Sequence, residues 1–224
     1  MKNKIVNTTI NFVKQALSDD FTGHDWEHIR RVHQLALKIQ SKEGGNEFIV
    51  SMAALLHDLA DWKLFNEQEA NIKIINFLKT EGLNEDEMDQ IINIIAQVSY
   101  KGSGVDTTPT SLEAKIVQDA DRLDAIGVIG VARAFAYGAK KNRSMYNPDI
   151  LPQTHDSFEE YKNSNSTTIN HFYEKLLLIK DLLNTSTAKE IGNKRHEKVE
   201  SFLRDFIQEW NVESDRPIFK EKIN

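Results

Sequence analysis

An all-α fold, one helical bundle of about nine or ten helices, is what this sequence predicts. Three observations carry that expectation. Apolar residues recur at helical spacing in nearly every segment, only four prolines occur in 224 residues, and no repeat, low-complexity tract or Ser/Gly linker divides the chain.

The elements follow in order. Val6, Ile10, Val13 and Leu17 share the face of a first helix, with Gly23 beyond it. Ile29, Val32, Leu35, Ala36 and Ile39 form a second stripe, stopped by Gly44-Gly45, a natural C-terminal signal. Phe48, Met52, Leu55, Leu56 and Leu59 form a third. Met88, Ile91, Ile92, Ile95 and Val98 form another, opened by Asn84 with Glu87 three residues later. Thr110-Ser-Leu-Glu113 is a capping-box pattern, and Thr187-Ala-Lys-Glu190 repeats it before a last helix faced by Val199, Phe202, Leu203, Phe206 and Trp210. Pro109, Pro148 and Pro152 mark loops at 99–110 and roughly 142–156; the second is long enough to suggest a lid or binding loop.

Composition narrows the partners. The 40% hydrophobic and 28% charged fractions are those of a soluble globular protein. Net charge is −6, and no basic run exceeds Lys140-Lys141 with Arg143, so nucleic acid is not an expected partner. The absence of cysteine excludes disulfides and thiolate-bound zinc or iron–sulfur centres. The N-terminal segment lacks the unbroken apolar stretch of a secretory signal, and no run approaches the roughly 18 apolar residues of a membrane span. A cytoplasmic location is the expectation; the oligomeric state is not legible.

Chemistry concentrates at His57-Asp58, which interrupts the apolar run SMAALLHDLAD. A buried imidazole and carboxylate are costly unless a cation or hydrogen bonds satisfy them. His28 lies upstream in GHDWEHIRRV and Asp121 downstream in QDADRLDA, completing a set of two His and two Asp. Such ligands suit one divalent ion (Mn, Mg, Co, Ni, Zn or Fe) and leave positions for water and a phosphate oxygen, so hydrolysis is the natural reaction. His24 and His28 are four residues apart, as are His57 and Asp61, and Asp121 and Asp124 are helical neighbours. Lys63, Lys101, Arg133, Lys175 and Arg195 are candidates to neutralise phosphate charge. His171 lies beside the stripe Ile169, Phe172, Leu176 and Ile179, where it either packs or lines a substrate site with Lys175. Trp26 and Trp62 flank the ligand positions as core residues or as stacking partners for a base. Gly127–Gly130 has no preceding strand, so close helix packing explains it better than dinucleotide binding.

The blocks HDWEHIRRV, AALLHDLADWK, IVQDADRLDAIGVIGVARAF and INHFYEKLL together resemble the HD-domain metal-dependent phosphohydrolases, specifically a bacterial subgroup related to nucleoside triphosphate pyrophosphohydrolases. The likeness runs from about residue 24 to 200 and implies a single domain over 1–224. In it a metal-binding core spans about 20–130, and C-terminal helices at about 154–212 complete the substrate cleft. It implies His28, His57, Asp58 and Asp121 as metal ligands, Asp121 being the acid immediately before Arg122-Leu123. Asp119 and Asp124 then stand behind the ligands, orienting them or capping a helix, and His24 holds phosphate or a ligand. Asp61 becomes the proton-transfer candidate. Residues 59–118 contain no His, which favours a mononuclear centre over the family's two-metal arrangement and over an iron oxygenase. The implied substrate is a small phosphorylated molecule of nucleotide type. Release of pyrophosphate from a (deoxy)nucleoside triphosphate ranks first, ahead of monophosphatase, phosphodiesterase or alarmone hydrolase activity. A non-catalytic metal-binding scaffold is the reading from another class.

Overall fold

A computed structural model describes residues 1–17, 25–60, 67–98, 108–153 and 166–211. Among the described residues there are nine α-helices and two 3-10 segments, and no strand. The helices are α1 (Lys2–Ala16), α2 (Trp26–Glu43), α3 (Glu47–Leu56), α4 (Glu67–Thr80), α5 (Glu85–Val98), α6 (Leu112–Asp124), α7 (Gly127–Lys140), α8 (Thr168–Glu174) and α9 (Ser186–Trp210). The 3-10 segments are His57–Ala60, continuing α3, and Leu176–Leu182, between α8 and α9.

α3 is the centre. After Glu47 its sequence carries no charge, and every residue from Phe48 to Leu56 is buried. Such a helix can only sit inside others, and it packs against α1, α2, α5 and α6. Asn46 starts it by accepting from the backbone N–H groups of Phe48 and Ile49, 3.1 and 3.4 Å away. α2 is amphipathic, burying Ile29, Val32, Ala36 and Ile39, and lies along both α3 and α6. It ends as the glycine pair predicts: Gly44 takes φ 87°, a conformation open to a residue without Cβ.

Two helix starts differ from the capping boxes read in the sequence. α6 is capped by Ser111, whose Oγ accepts from Ala114 N at 3.0 Å. Thr110 is engaged elsewhere, its N–H donating to the Gln97 side chain at 2.9 Å. α9 starts two residues early, because Thr185 rather than Thr187 supplies the cap. Thr185 is itself gripped by the buried carboxylate of Asp119, while Thr187 N donates to Glu43 at 2.6 Å.

An aromatic cluster joins the C-terminal helices. Phe172 of α8 is fully buried, its ring 6.0 Å from Phe135 of α7 and 5.7 Å from Phe202 of α9. Burying such a side chain stabilises by roughly 1.5–3 kcal/mol. Small residues let α7 approach its neighbours. A Cβ at Gly138 would collide with Thr168 Oγ1, and one at Gly127, where φ is 81°, would press on Arg195 at 3.1 Å. The glycines of this helix thus serve packing. No helix among the described residues is long and apolar enough to cross a membrane.

Candidate metal centre

Three helix ends bring the chemistry together. His28 sits in the first turn of α2, whose N-cap Asp25 accepts from His28 N at 2.9 Å. His57 and Asp58 follow α3 where the backbone tightens into the 3-10 segment. Asp121 lies in the last turn of α6. His28, His57 and Asp58 are 0%, 1% and 4% exposed, whereas the Asp121 side chain is 30% exposed. The cluster therefore has one open side, and Asp121 marks it.

Donor distances fit a shared ion. Asp58 Oδ2 is 3.2 Å from His28 Nε2, and Asp58 Oδ1 is 3.3 Å from His57 Nε2. Asp121 Oδ1 stands 3.5 Å from His28 Nε2 and 3.7 Å from His57 Nε2. Two donors bound to one ion at about 2.1 Å lie about 3.0 Å apart at right angles and about 3.6 Å apart at 120°. One donor atom from each of His28, His57 and Asp58 lies within 4.8 Å of the others, the one such group among the described residues.

The tautomers are also set. His57 Nδ1 is 2.9 Å from Ala54 O, and a carbonyl can only accept, so Nδ1 carries the hydrogen. His57 Nε2 is buried with no hydrogen-bond partner among the described residues, despite two carboxylates nearby. His28 Nδ1 donates to Asp124 Oδ2 at 2.7 Å. With hydrogen kept on Nδ1, each ring directs its Nε2 at the same space, and loss of the Nε2 proton there gives the lone pair that an imidazole–metal bond requires. The group can hold a divalent metal ion.

Electrostatics agree. Burial alone would push the His57 pKa down, but Asp58 and Asp121 overcome it and hold it at about 9. Burial likewise opposes charge on His28, and Asp124 and Asp58 raise its pKa. The Asp121 carboxylate, which burial would push up, is lowered by His57 and His28. Two carboxylates facing two imidazoles attract positive charge, whether protons or a divalent ion, and an ion releases the protons on binding.

Behind His28, Asp124 is 1% exposed and forms a hub. Its Oδ2 accepts from His28 Nδ1, from Arg31 Nη2 at 3.0 Å and from Arg133 Nη1 at 2.8 Å, and its Oδ1 accepts from Arg31 Nε at 2.7 Å. Burial opposes its charge, yet His28 and Arg31 keep it well below the usual carboxylate range. Asp119, one turn earlier, points elsewhere. Its carboxylate accepts from Asn184 N, Asn184 Nδ2, Thr185 N and Thr185 Oγ1, each at 2.8 Å, fixing the start of α9.

Other residues singled out in the sequence are placed as follows. Arg133 reaches Asp124, and Arg195 Nη1 donates to Leu123 O beside it. His171 and Lys175 lie on α8 and just after it, half-buried, with the His171 pKa pushed down to about 3 by burial and by the charges of Lys175 and Arg143. Trp26 is half-buried with Lys14 Nζ 4.8 Å from its ring centre. His24, Asp61, Trp62, Lys63 and Lys101 lie outside the described residues. Arg31 escaped sequence reading. Its signal was spacing: His28 and Arg31 are three apart on α2, matching Asp121 and Asp124 on α6.

Residues 25–126 match the model of the HD domain. The chain is similar to a crystallised HD-superfamily hydrolase from Bacillus thuringiensis, with 44% identity, 95% of this chain and 100% of that one covered, and a TM-score of 0.76. It is 37% identical to protein YpgQ of Bacillus subtilis over 208 residues, which is 92% of this chain and 91% of that protein. A crystal structure of YpgQ in complex with ADP shares 33% identity with a TM-score of 0.73, covering 91% of this chain and 97% of that one.

Proposed function

Because the chain belongs to the HD-superfamily hydrolases, we propose that it is a divalent-metal-dependent phosphohydrolase acting on nucleotides, with release of pyrophosphate from a (deoxy)nucleoside triphosphate as its reaction. The observation that carries this reading is the convergence of His28, His57, Asp58 and Asp121 on one space open at the Asp121 side. The ADP bound by YpgQ supports a nucleotide as ligand. In this reading residues 1–224 act as one domain, the core at about 20–130 holding the ion and the C-terminal helices completing the cleft.

When bound, a divalent ion supplies Lewis acidity and a water of lowered pKa. The side chains prepare the space for it. Ala54 O and Asp124 keep hydrogen on the Nδ1 atoms, so that both Nε2 atoms would be the ones to ligate. Burial excludes bulk water from His28, His57 and Asp58, while Asp121 borders the space a phosphate enters. In the reaction, water oxygen bonds to the α-phosphorus and the bridging oxygen departs with the β- and γ-phosphates. Asp61 is assigned to take the water's proton.

The test is metal-stripped protein offered a panel of nucleotides and divalent ions, with products separated. The account expects nucleoside monophosphate and pyrophosphate in equal amounts, from protein that is inactive without metal. Absence of turnover with every ion, or orthophosphate as sole product, would overturn it.

A further inference from the structure

The geometry points to Arg31, Arg133 and Arg195 as a subsite for a condensed phosphate chain, seated beyond the phosphate that meets the metal. The inference rests on the hydrolase reading and extends it by naming what recognises the leaving part of the substrate.

Charge is the first observation. Three guanidinium groups gather around one carboxylate: Arg31 and Arg133 bond directly to Asp124, and Arg195 lies within electrostatic reach of both Asp124 and Arg31. Asp25 and Glu27 also act on Arg31, whereas the carboxylate that acts on Arg195 is Asp124, so Arg133 and Arg195 draw on a carboxylate already shared with Arg31 and His28. At the ligand cluster the two carboxylates of Asp58 and Asp121 are matched by a divalent ion, so they do not offset Arg133 and Arg195. Unbalanced guanidinium groups, partly removed from water, are costly unless an anion joins them.

Hydrogen bonding is the second. Arg133 Nε is buried and has no hydrogen-bond partner among the described residues, although its Nη1 is used by Asp124. A buried donor left unpaired costs about 1–3 kcal/mol, and a phosphate oxygen is a natural acceptor. The side chains are not sealed in, since Arg31 is 28% and Arg133 17% exposed.

Position is the third. Asp124 follows Asp121 by three residues on the same face of α6, so the guanidinium groups held by Asp124 and by Leu123 O are anchored one helical turn from the side chain at the exposed edge of the ligand cluster. A single imidazole, His28, separates the two: Nε2 serves the ligand space and Nδ1 serves Asp124. A chain with one phosphate at the cluster therefore directs its following phosphates toward the guanidinium groups. Orthophosphate fills only the first position. The side-chain forks match phosphate oxygens in a way that a lysine cannot.

The experiment is calorimetric binding of orthophosphate, pyrophosphate and inorganic tripolyphosphate to metal-saturated protein, comparing wild type with Arg133→Gln and Arg195→Gln. Arg204→Gln, on an exposed position of α9, is the control. Wild type binds more tightly with each added phosphate. Each of the two arginine variants weakens tripolyphosphate about 10- to 100-fold, the loss expected for a charge-assisted hydrogen bond, and shifts orthophosphate less than threefold. Since Arg133 also holds Asp124, the Arg195 variant decides if the Arg133 variant fails to fold. Tripolyphosphate binding unchanged in Arg195→Gln, or falling in step with orthophosphate, overturns the subsite. A further arm compares tripolyphosphate with a nucleoside triphosphate analogue carrying a non-hydrolysable α,β-methylene bridge; equal arginine dependence places the chain rather than the nucleoside on these residues, and dependence confined to the nucleotide refutes it. Binding is read without turnover. Arginine-dependent selection of chain length in a protein that hydrolyses nothing would retire the proposed reaction and leave the subsite standing.

Discussion

Replacing Asp124 by Asn tests whether His28 is held ready for a metal from behind. The carboxylate accepts four hydrogen bonds, one from His28 Nδ1, two from Arg31 and one from Arg133. An asparagine oxygen can serve part of that load, but its NH2 group presents hydrogens to donors. Rotated toward His28, that NH2 donates to Nδ1 and moves the ring hydrogen to Nε2, where it blocks ligation. Loss of such an orienting partner lowers metal affinity by about 10- to 100-fold, roughly 1.4–2.7 kcal/mol. The arginines also lose their counter-charge in a largely buried position. Removing one partner of such a pair costs about 3–5 kcal/mol, which for a chain of this size lowers the melting temperature by roughly 10 °C. Titration calorimetry with Mn2+ on the folded variant reads the first effect, and melting of metal-free protein reads the second. A folded Asp124→Asn protein that binds metal as tightly as wild type would refute the reasoning about the tautomer.

Further expectations separate the site from its scaffold. Asp119→Asn should lower stability by about 2–4 kcal/mol through the lost α9 cap while leaving the metal affinity of folded protein within about threefold; denaturant melts and calorimetry check both. Phe172→Ala should destabilise by about 3–5 kcal/mol, read as a shifted denaturation midpoint. His171 is held neutral, its pKa about 3 in the fold against about 6.5 unfolded, so the unfolded chain binds more protons between those values. Its contribution is complete above about pH 6.5 and is lost as pH falls toward 3, with a slope below about 1.4 kcal/mol per pH unit because the ring keeps some exposure. The stability difference between wild type and His171→Gln, followed across that range, should carry this slope; a flat difference would contradict it.

Much of this was legible because the strongest signals are local. The unbroken apolar stretch of α3 demanded a central helix, and His57-Asp58 at its end could not sit there unsatisfied. Exact helix starts were less legible. Thr110-Ser111 and Thr185-Ser-Thr187 each offer adjacent hydroxyl caps, and the choice between them is made by Gln97 and Asp119 from other helices. The hub at Asp124 was hidden for the same reason. Arg31 is one of two adjacent arginines in HIRRV, unmarked until α2 and α6 are laid together, when spacing of three on each helix lines up His28 with Asp121 and Arg31 with Asp124. Arg133 and Arg195 were read as separate phosphate contacts, and only the fold reveals that they share one carboxylate's surroundings.

The most direct measurement is an anomalous difference map from crystals of the protein grown with Mn2+, backed by ion stoichiometry in solution. The account predicts one peak per chain, about 2.0–2.3 Å from His28 Nε2, His57 Nε2 and one oxygen each of Asp58 and Asp121. A map with no density among those four side chains, or with the ion held elsewhere, would contradict it.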